Sequence, residues 1–261
     1  MLHLLYSAVG TVLHPILLAC RPLFEQLGGR WAYGLTERLG RYPQLAAGPG
    51  ERLLWLHASS VGEVQAALVL LDELTRSCTD LRILLTTTTE QGHRLAASRL
   101  EPRITCLMAP LDLAPAVGRA LRAVRPDLYV CLETELWPVM LTRLRRAGVP
   151  MALVNGRLSE RSCRRYRHIR STMARLLNGF ASLAVITEAD ARRFAALGAD
   201  PARIRVCGNL KYDMPADDPA TTRRVSRARL GVDDETVLVC GSTHEGEEEQ
   251  LLTLYRRLAE R

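Results

Sequence analysis

Beyond about residue 50, the chain alternates short apolar segments with longer segments of helical periodicity, and this alternation constrains the fold most strongly. The apolar segments are rich in β-branched residues and occupy 53–58, 82–88, 104–109, 127–133, 151–155, 183–187 and 203–209. The segments between them repeat apolar residues at helical spacing, as in VQAALVLLDELTR at 64–76. Such alternation predicts an α/β domain whose parallel sheet is covered by helices on both faces.

The alternation stops at residues 211–222, KYDMPADDPATT, a polar segment with two prolines that is typical of a linker or a domain boundary. After it we expect a basic helix from TRRVSRARLG, a strand at 236–242 and an acidic-to-apolar helix from EGEEEQLLTLYRRLAE. One strand and two helices cannot bury a sheet face. This part of the chain is therefore expected to be either a decoration of the first domain or the beginning of a second one.

The first twenty residues, MLHLLYSAVGTVLHPILLAC, contain no Lys, Arg, Asp or Glu and are interrupted by Pro15. The segment is only moderately apolar for one that spans a bilayer, so it favours an uncleaved helix that docks on a membrane surface. An ordinary amphipathic or core helix is one alternative. A signal peptide is another, although its usual basic start is absent.

Composition and charge narrow the classes of function. With 48% hydrophobic and 24% charged residues, the chain has the composition of a soluble globular protein. Its seven cysteines are scattered without a C-x-x-C pair, which favours reduced thiols in a cytosolic compartment over a disulfide framework or a zinc site. The net charge of +7 arises mostly at 157–175, where seven arginines accompany one acid, Glu160. A basic patch confined to one segment favours an anionic partner: phosphate, anionic lipid or nucleic acid.

The arginine-rich segment has the pattern of one long amphipathic helix that ends near Asn178. On a helical wheel one face collects the apolar residues Tyr166, Ile169, Met173, Leu176, Leu177 and Phe180. The broadly opposite face carries Arg161, Arg164, Arg167, His168 and Arg175. Unmixed arginines suit bidentate phosphate contacts, whereas a solvated face usually mixes charges, and both interpretations stay open. Nucleic acid is disfavoured because the charge is confined to one helix whose aromatic residue, Tyr166, lies on the apolar face.

The segment HASSVGE, 57–63, joins the first predicted strand to the following helix. Open α/β sheets bind ligands at the carboxyl ends of their strands, and Gly62 lets the backbone approach a ligand closely. Glu63 is expected at the positive end of the helix, which would keep its carboxylate ionised, as a general base requires. A carboxylate that only caps the helix is the structural alternative.

The segment ETELWP, 133–138, follows another predicted strand and is therefore expected at the same edge of the sheet. Glu133 and Glu135 would project to the same side if the strand continues that far. Two carboxylates there could bind substrate hydroxyls or assist Glu63. Alternatively, one of them caps the next helix, which would have Pro138 in its first turn.

The segment GSTHEGEEE, 241–249, also follows a predicted strand and opens a helix. Gly241, Ser242 and Thr243 offer amides and hydroxyls to an anion at a helix N-terminus, and His244 adds a hydrogen-bonding group. The acidic residues can instead complement the helix dipole. The chain has no Walker A loop, G-x-G-x-x-G, H-E-x-x-H or D-x-D motif, which disfavours nucleotide hydrolases, dehydrogenases, zinc peptidases and metal-dependent nucleotide-sugar enzymes.

Several segments occur here in one order: HASSVGE, TTTTEQG, PLDL, RPDLYVCLETELWP, VNGRLSERSCRRY, E-A-D-A-x-R-F, GNLKYD and GSTHEGEE. Together they resemble the 3-deoxy-D-manno-octulosonic acid (Kdo) transferases of Gram-negative bacteria over nearly the whole chain. The resemblance implies a GT-B glycosyltransferase, in which two Rossmann-like domains face each other across a cleft. It implies inverting, metal-independent transfer of Kdo from CMP-Kdo to a lipid A precursor in lipopolysaccharide biosynthesis, without a cofactor, at the cytoplasmic face of the inner membrane.

The resemblance also implies roles for individual residues. Glu63 is the glutamate of the H-x-x-S-x-G-E motif and so the general base, and Glu133 and Glu135 are further catalytic candidates whose relative roles it leaves open. The expected acceptor-binding residues are Ser60 and Gly62 and, as a hypothesis from charge alone, Arg157, Arg161, Arg164 and Arg165. The expected donor-binding residues are Lys211, Gly241, Ser242, Thr243, His244 and Glu247. No metal ligand is expected.

Family members continue into a full C-terminal domain, which implies a division of this chain into four parts. We expect a membrane-docking helix at 1–24, a Rossmann-like acceptor-side domain at 25–212, a linker at 213–222 and the incomplete start of a donor-binding domain at 223–261. Such a fragment is expected to have little activity alone. The expected partners are lipid A precursor, CMP-Kdo and a membrane surface, and not nucleic acid. Two alternatives remain: an inactive membrane-docked module that binds lipid A precursor, and another GT-B enzyme that uses nucleotide sugars.

Overall fold

The computed structural model describes the greater part of the chain, namely residues 2–20, 22, 26, 32–45, 47–48, 50–101, 104–214 and 218–259. Contacts between residues divide the chain into two compact units, 1–214 and 215–261. Each unit is described by itself. The sheet and both of its apolar cores belong to the first unit.

A parallel sheet with the order β3-β2-β1-β4-β5-β6-β7 forms the centre of the first unit. Its strands are β1 (Arg52–His57), β2 (Leu81–Thr87), β3 (Ile104–Met108), β4 (Leu128–Leu132), β5 (Met151–Gly156), β6 (Ser182–Val185) and β7 (Ile204–Val206). Each strand overlaps one of the apolar segments that the sequence predicts as strands, and its ends differ from the predicted ends by at most three residues. Adjacent strands are parallel throughout, so the predicted α/β architecture is confirmed.

Helices cover both faces of this sheet, as the sequence predicts. They are α1 (Leu2–Ala19), α2 (Leu35–Arg38), α3 (Val61–Ser77), α4 (Glu90–Ala97), α5 (Ala114–Val124), α6 (Pro138–Arg146), α7 (Glu160–Arg167), α8 (Arg170–Leu177) and α9 (Glu188–Ala196). One core lies under α5, α6 and α8 and contains the fully buried rings of Trp55, Tyr129 and Phe180. The other lies under α3 and contains Leu56, Leu71 and Leu85.

The order of the strands reverses between β1 and β4, because β2 and β3 extend to one side of β1 and β5 to β7 extend beyond β4. In open α/β sheets, a crevice for ligands forms at such a reversal, outside the carboxyl ends of the two strands. The segments HASSVGE and ETELWP follow β1 and β4. The topology therefore places both of them at this crevice.

The single long basic helix is a wrong prediction, because the segment forms two helices, α7 and α8. Ile169 leaves the helical conformation, with φ −120° and ψ 30°, and packs against the core before α8 begins at Arg170. The predicted apolar face is confirmed: Met173, Leu177 and Phe180 are buried. The arginines predicted to lie opposite this face, together with Arg165, are exposed at the surface.

The second unit contains two helices, α10 (Pro219–Leu230) and α11 (Glu247–Ala259). Asp218 caps α10, and Gly231 ends it in a left-handed conformation. The strand predicted at 236–242 is absent from the described residues of this unit, which is a correction. A strand needs a neighbour for its backbone hydrogen bonds, and the unit supplies none here. Leu238 and Val239 are accordingly 56% and 77% exposed.

The N-terminal segment forms α1, which packs against α5 and α6. His14 is buried on this side, with Nε2 only 2.6 Å from Arg119 Nη1, while Val12 and Ile16 are exposed on the other. Among the described residues, no helix has both the length and the hydropathy to cross a bilayer. The segment thus forms a helix that packs on the domain, and its docking on a membrane stays a prediction.

Candidate active site at the carboxyl ends of β1 and β4

The turn after β1 encloses the Glu63 carboxylate. Ser60 is the N-cap of α3, and its Oγ accepts a hydrogen bond from the amide of Glu63. In return, Glu63 Oε1 accepts from Ser60 Oγ at 2.9 Å, and Glu63 Oε2 accepts from the amide of Ser59 at 2.8 Å. This reciprocal arrangement resembles a capping box, so the carboxylate does help to cap the helix. Each carboxylate oxygen keeps a second lone pair for a substrate hydroxyl.

The pKa of the Glu63 carboxyl is shifted in the direction opposite to the one expected from its helix, because the positive end of a helix alone would lower this pKa. Its side chain is buried, and burial raises its pKa above the ordinary value of 4.5. The charges of Glu135 and Glu133 raise this pKa further, while the hydrogen bonds from Ser59 and Ser60 lower it. Desolvation therefore outweighs the favourable hydrogen bonds at the helix N-terminus. The expectation considered only the helix end and could not include the depth of the crevice.

The two acids of ETELWP lie in different surroundings, because β4 ends at Leu132. Glu133 adopts a left-handed backbone conformation with φ 56°, which turns the chain away from the strand direction. The condition for both carboxylates to project to one side, a strand that continues through Glu135, is therefore not met. Glu133 pairs with cations, whereas Glu135 contacts His57 and Trp137.

Two cations hold the nearly buried Glu133 carboxylate. Nε and Nη2 of Arg157 each lie 2.9 Å from Oε2, and Lys211 Nζ lies 3.2 Å from Oε1. Asn155, at the end of β5, holds the lysine-bearing turn in place by accepting the amide of Leu210 at 3.0 Å. A Cβ at Gly62 would lie only 3.4 Å from Lys211 Nζ, so the lysine adjoins the HASSVGE turn as well.

Glu135 lies between His57 and Trp137. Trp137 Nε1 donates to its Oε2 at 2.8 Å, and His57 Nε2 lies 3.6 Å from the same oxygen. Burial raises the pKa of Glu135, but the contacts with His57, Trp137 and Ser59 outweigh burial and hold this pKa below its ordinary value. The crevice thus holds two carboxyl groups whose pKa values are shifted in opposite directions. Groups that differ in this way suit different chemical tasks.

Neither acid of ETELWP caps α6, so that alternative is wrong. Asp112, in the PLDL segment, accepts the amides of Val139 at 3.0 Å and Met140 at 2.8 Å. Pro138 does occupy the first turn of α6, as expected. Reasoning from residue patterns missed Asp112 as a cap, because its partner amides are distant in sequence. The signal available was an aspartate between two leucines in PLDL, one of the segments on which the family resemblance is based.

The expected acceptor-binding residues divide into two groups. Ser60, Gly62 and Arg157 lie at the crevice, and Arg157 also lines an open cavity of about 500 Å³ together with Glu133 and Glu135. The second group lies on the exposed surface of α7 and consists of Arg161, Arg164 and Arg165. The structure therefore brings only the first group into contact with the candidate catalytic residues.

The expected donor-binding residues belong to two different units of the chain. Lys211 belongs to the first unit and pairs with Glu133, whereas Gly241, Ser242, Thr243, His244 and Glu247 belong to the second. Gly241, Ser242 and Thr243 precede the first residue of α11, Glu247, by four or more positions, so they do not lie in its first turn as expected. Glu247 Oε2 accepts the amide of His244 at 2.9 Å, which already occupies one backbone donor.

A metal site would need a cluster of suitable side chains. In the part of the chain that the structure describes, no group of three or more His, Cys, Asp or Glu side chains is arranged to hold a metal ion. Metal-independent transfer stays a prediction.

Comparison with known proteins bears on the family of the chain. Residues 33–214 match the family described as 3-deoxy-D-manno-octulosonic-acid transferase. The 3-deoxy-D-manno-octulosonic acid transferase of Haemophilus influenzae is 30% identical over 97% of this chain, and that of Bordetella pertussis is 32% identical over 86%. A probable mitochondrial member from Arabidopsis thaliana is 30% identical over 88% of the chain.

A solved structure supports the fold. The UDP-GlcNAc 2-epimerase of Neisseria meningitidis bound to UDP-GlcNAc superposes with a TM-score of 0.50 at 10% identity, covering 71% of this chain and 56% of that one. The likeness supports a Rossmann-like domain of the GT-B type, as predicted. The chain spans 59%, 52% and 51% of the lengths of the Haemophilus, Bordetella and Arabidopsis relatives. On the match over residues 33–214 and the identity shared with these relatives, the chain belongs to the 3-deoxy-D-manno-octulosonic acid transferase family.

Proposed function

We propose that the first unit forms the acceptor side of a Kdo transferase site, at which Kdo passes from CMP-Kdo to a lipid A precursor. The main support is the meeting of two loops at the reversal of strand order. There Glu63 is close enough to Glu135 and Glu133 for their charges to raise its pKa. A cleft that combines a buried carboxyl group of raised pKa with nearby cations is suited to proton removal next to a phosphate leaving group.

In the proposed reaction, Glu63 removes the proton of an acceptor hydroxyl as the hydroxyl oxygen attacks the anomeric carbon of Kdo. The bond from that carbon to the phosphate oxygen of CMP-Kdo breaks, and CMP leaves with the electron pair. Because the hydroxyl attacks from the face opposite the departing phosphate, the configuration inverts. A carboxylate becomes a stronger base as its pKa approaches the working pH. Burial of Glu63 therefore favours this role, while Ser59 and Ser60 keep the carboxylate oriented.

The cations around the crevice are proposed to balance substrate charge. Lys211 lies beside both Gly62 and Glu133, where a departing phosphate would replace the Glu133 carboxylate as the partner of the lysine. Such an exchange requires little new desolvation, because the lysine is already partly buried. The segment of the second unit that contains Gly241, Ser242, Thr243 and His244 is proposed to contact the donor nucleotide.

Two exposed surfaces of the first unit, on α7 and α1, are proposed to contact phosphates and the membrane. We assign Arg161, Arg164 and Arg165 to the phosphates of the acceptor or of anionic lipids, because exposed guanidinium groups bind phosphate bidentately. The outward residues Val12 and Ile16 of α1 are proposed to rest on the cytoplasmic face of the inner membrane. Both surfaces act on binding and not on the chemical step.

A chimera tests the proposed activity. Residues 33–214 replace the matching segment of the Haemophilus influenzae relative, and transfer from CMP-Kdo to lipid A precursor is measured. We expect transfer by the chimera, and a loss of roughly 100-fold or more in kcat with Glu63→Gln. Glu73→Gln, an exposed change on the same helix, is the matched control and should leave the rate unchanged. Equal rates for both variants would remove Glu63 from the role of general base.

The exposed arginines also favour a second candidate function, a binding module for lipid A precursor that has no transfer activity. The full chain would then bind the lipid with an affinity that falls with added salt, while the chimera would transfer nothing. Lipid binding together with transfer supports the enzyme, and lipid binding alone supports the module.

A further inference from the structure

His57 ends β1 at the crevice, and neither the cap of α3 nor the proposed proton transfer uses it. It is only 3% exposed. Successive side chains of a strand alternate between faces, so His57 shares a face with Leu53 and Trp55. Its ring has polar contacts with Thr86 on β2 and with Glu135 in the loop after β4.

The contact with Thr86 restricts where the ring carries its proton. His57 Nδ1 lies 3.0 Å from Thr86 Oγ1, which also accepts a hydrogen bond from Trp55 Nε1 at 2.9 Å. The hydroxyl has one proton to donate, either to His57 Nδ1 or to the carbonyl oxygen of Leu56 at 3.4 Å. The shorter contact favours donation to His57, which leaves Nδ1 without a proton.

The surroundings of Nε2, on the other side of the ring, also indicate that the proton lies on Nε2 and not on Nδ1. Nε2 has no hydrogen-bond partner among the described residues, and the oxygen it faces is Glu135 Oε2 at 3.6 Å. A bare lone pair directed at a carboxylate in a buried crevice would be repelled, because the low dielectric strengthens the interaction. A proton on Nε2 reverses the sign of this interaction.

We propose that His57 is a positioning residue for Glu135: Thr86 fixes a neutral ring with its proton on Nε2, and this N–H holds the Glu135 carboxylate in place. Trp137 Nε1 approaches the same oxygen and limits its movement from the other direction. The role of Glu135 in transfer rests on the proposed function, whereas its positioning by His57 does not.

The arrangement has a consequence for the neighbouring acids. The charges of Glu135 and Glu133 both act on Glu63, and Glu133 is already paired with Arg157 and Lys211. The N–H of His57, together with the hydrogen bond from Trp137 Nε1, therefore keeps the negative charge of Glu135 fixed next to Glu63. Through Glu135, His57 influences the pKa of Glu63 without contacting the substrate.

The test observes the ring directly in the full chain labelled with ¹⁵N-histidine. Protonated and unprotonated ring nitrogens differ widely in ¹⁵N shift, and His57→Gln identifies the His57 signals. At neutral pH we expect a protonated Nε2 and an unprotonated Nδ1. A proton on Nδ1, in a neutral or a cationic ring, would overturn the proposal.

A matched pair of variants isolates the hydroxyl. Thr86→Ser keeps the donor and should retain the tautomer, whereas Thr86→Val removes it and should give a mixture of tautomers. A single unchanged tautomer in Thr86→Val would contradict the proposed role of Thr86.

If Thr86→Val does not fold, a ¹³C titration of the Glu135 carboxyl replaces it. We expect an upward shift of the Glu135 pKa in His57→Leu, and a smaller shift in His57→Gln, whose amide can still donate. No upward shift in His57→Leu would overturn the proposal. These measurements need neither donor nor acceptor. An inactive chimera would therefore remove the proposed function and leave the positioning role to be judged by the spectra.

Discussion

Lys211 Nζ lies 3.2 Å from Glu133 Oε1, and a Cβ at residue 62 would lie 3.4 Å from the same nitrogen. One lysine near the end of the first unit thus adjoins two loops that follow β1 and β4. The pair is mostly shielded from water, since the two side chains are 30% and 11% exposed. Shielding makes the interaction stronger than that of a surface ion pair.

Loss of this lysine should destabilise the first unit. Lys211→Met leaves Glu133 with Arg157 alone, and we expect the free energy of unfolding to fall by about 1–2 kcal/mol. Urea denaturation measures the change. Arg76→Met, which breaks an exposed pair with Glu73, serves as the control and should cost less than about 1 kcal/mol. An equal effect of both variants would contradict the shielding of the Lys211–Glu133 pair.

The raised pKa of Glu63 predicts a pH-dependent stability. Between the unfolded pKa, near 4.5, and the higher folded pKa, the folded state binds more protons than the unfolded state. The contribution of Glu63 to stability therefore decreases as the pH rises through this window. Urea denaturation of the wild type and Glu63→Gln at a series of pH values should show the wild type losing stability relative to the variant. A relative gain for the wild type would mean that the folded pKa is lowered.

Asp112 should be important for stability although it is outside the proposed chemistry. Its carboxylate accepts two amides at the start of α6 and is buried, so Asp112→Ala leaves both amides without this partner. We expect a loss of about 1–3 kcal/mol in the free energy of unfolding. Asp72→Ala, on the exposed side of α3, is the control and should have little effect. A similar small effect at Asp112 would show that α6 does not depend on this cap.

The arginines of α7 should control binding to anionic lipid. Replacing Arg161, Arg164 and Arg165 together by glutamine should weaken binding of the full chain to anionic vesicles by roughly 100-fold, at about 1 kcal/mol per arginine. Vesicle sedimentation at low salt measures the affinity. The matched control replaces Arg223, Arg224 and Arg229, which are exposed on α10 and carry the same total charge. Equal losses in both triple variants would indicate an effect of net charge alone.

Much of the first unit could be predicted from the sequence, because its buried strands are short apolar runs separated by helices of clear periodicity. One prediction of secondary structure failed in each unit. The basic helix breaks at Ile169, which packs against the core, and the segment near Leu238 forms no strand among the described residues. Periodicity reports which faces are apolar, and it contains no information on such tertiary partners.

The candidate site was predictable in part. The positions of Glu63 and Glu135 near one edge of the sheet follow from the parallel strands that precede them. Their opposite pKa shifts do not, because these depend on burial and on a contact with His57 that only the packed sheet creates. The pairing of Glu133 with Lys211 joins residues 78 positions apart, beyond any local pattern.

At position 133 the backbone and the side chain favour different residue types. The backbone there favours glycine or asparagine, and any other residue costs about 1–2 kcal/mol. Only an acid, however, can hold Arg157 and Lys211 together. In a screen for thermal stability, a substitution at this position would therefore gain backbone stability in the turn and lose the pairing with the two cations. Engineering this chain for stability should leave residue 133 unchanged. A residue that relieves the backbone strain there would leave Arg157 and Lys211 without the carboxylate that holds them at the crevice.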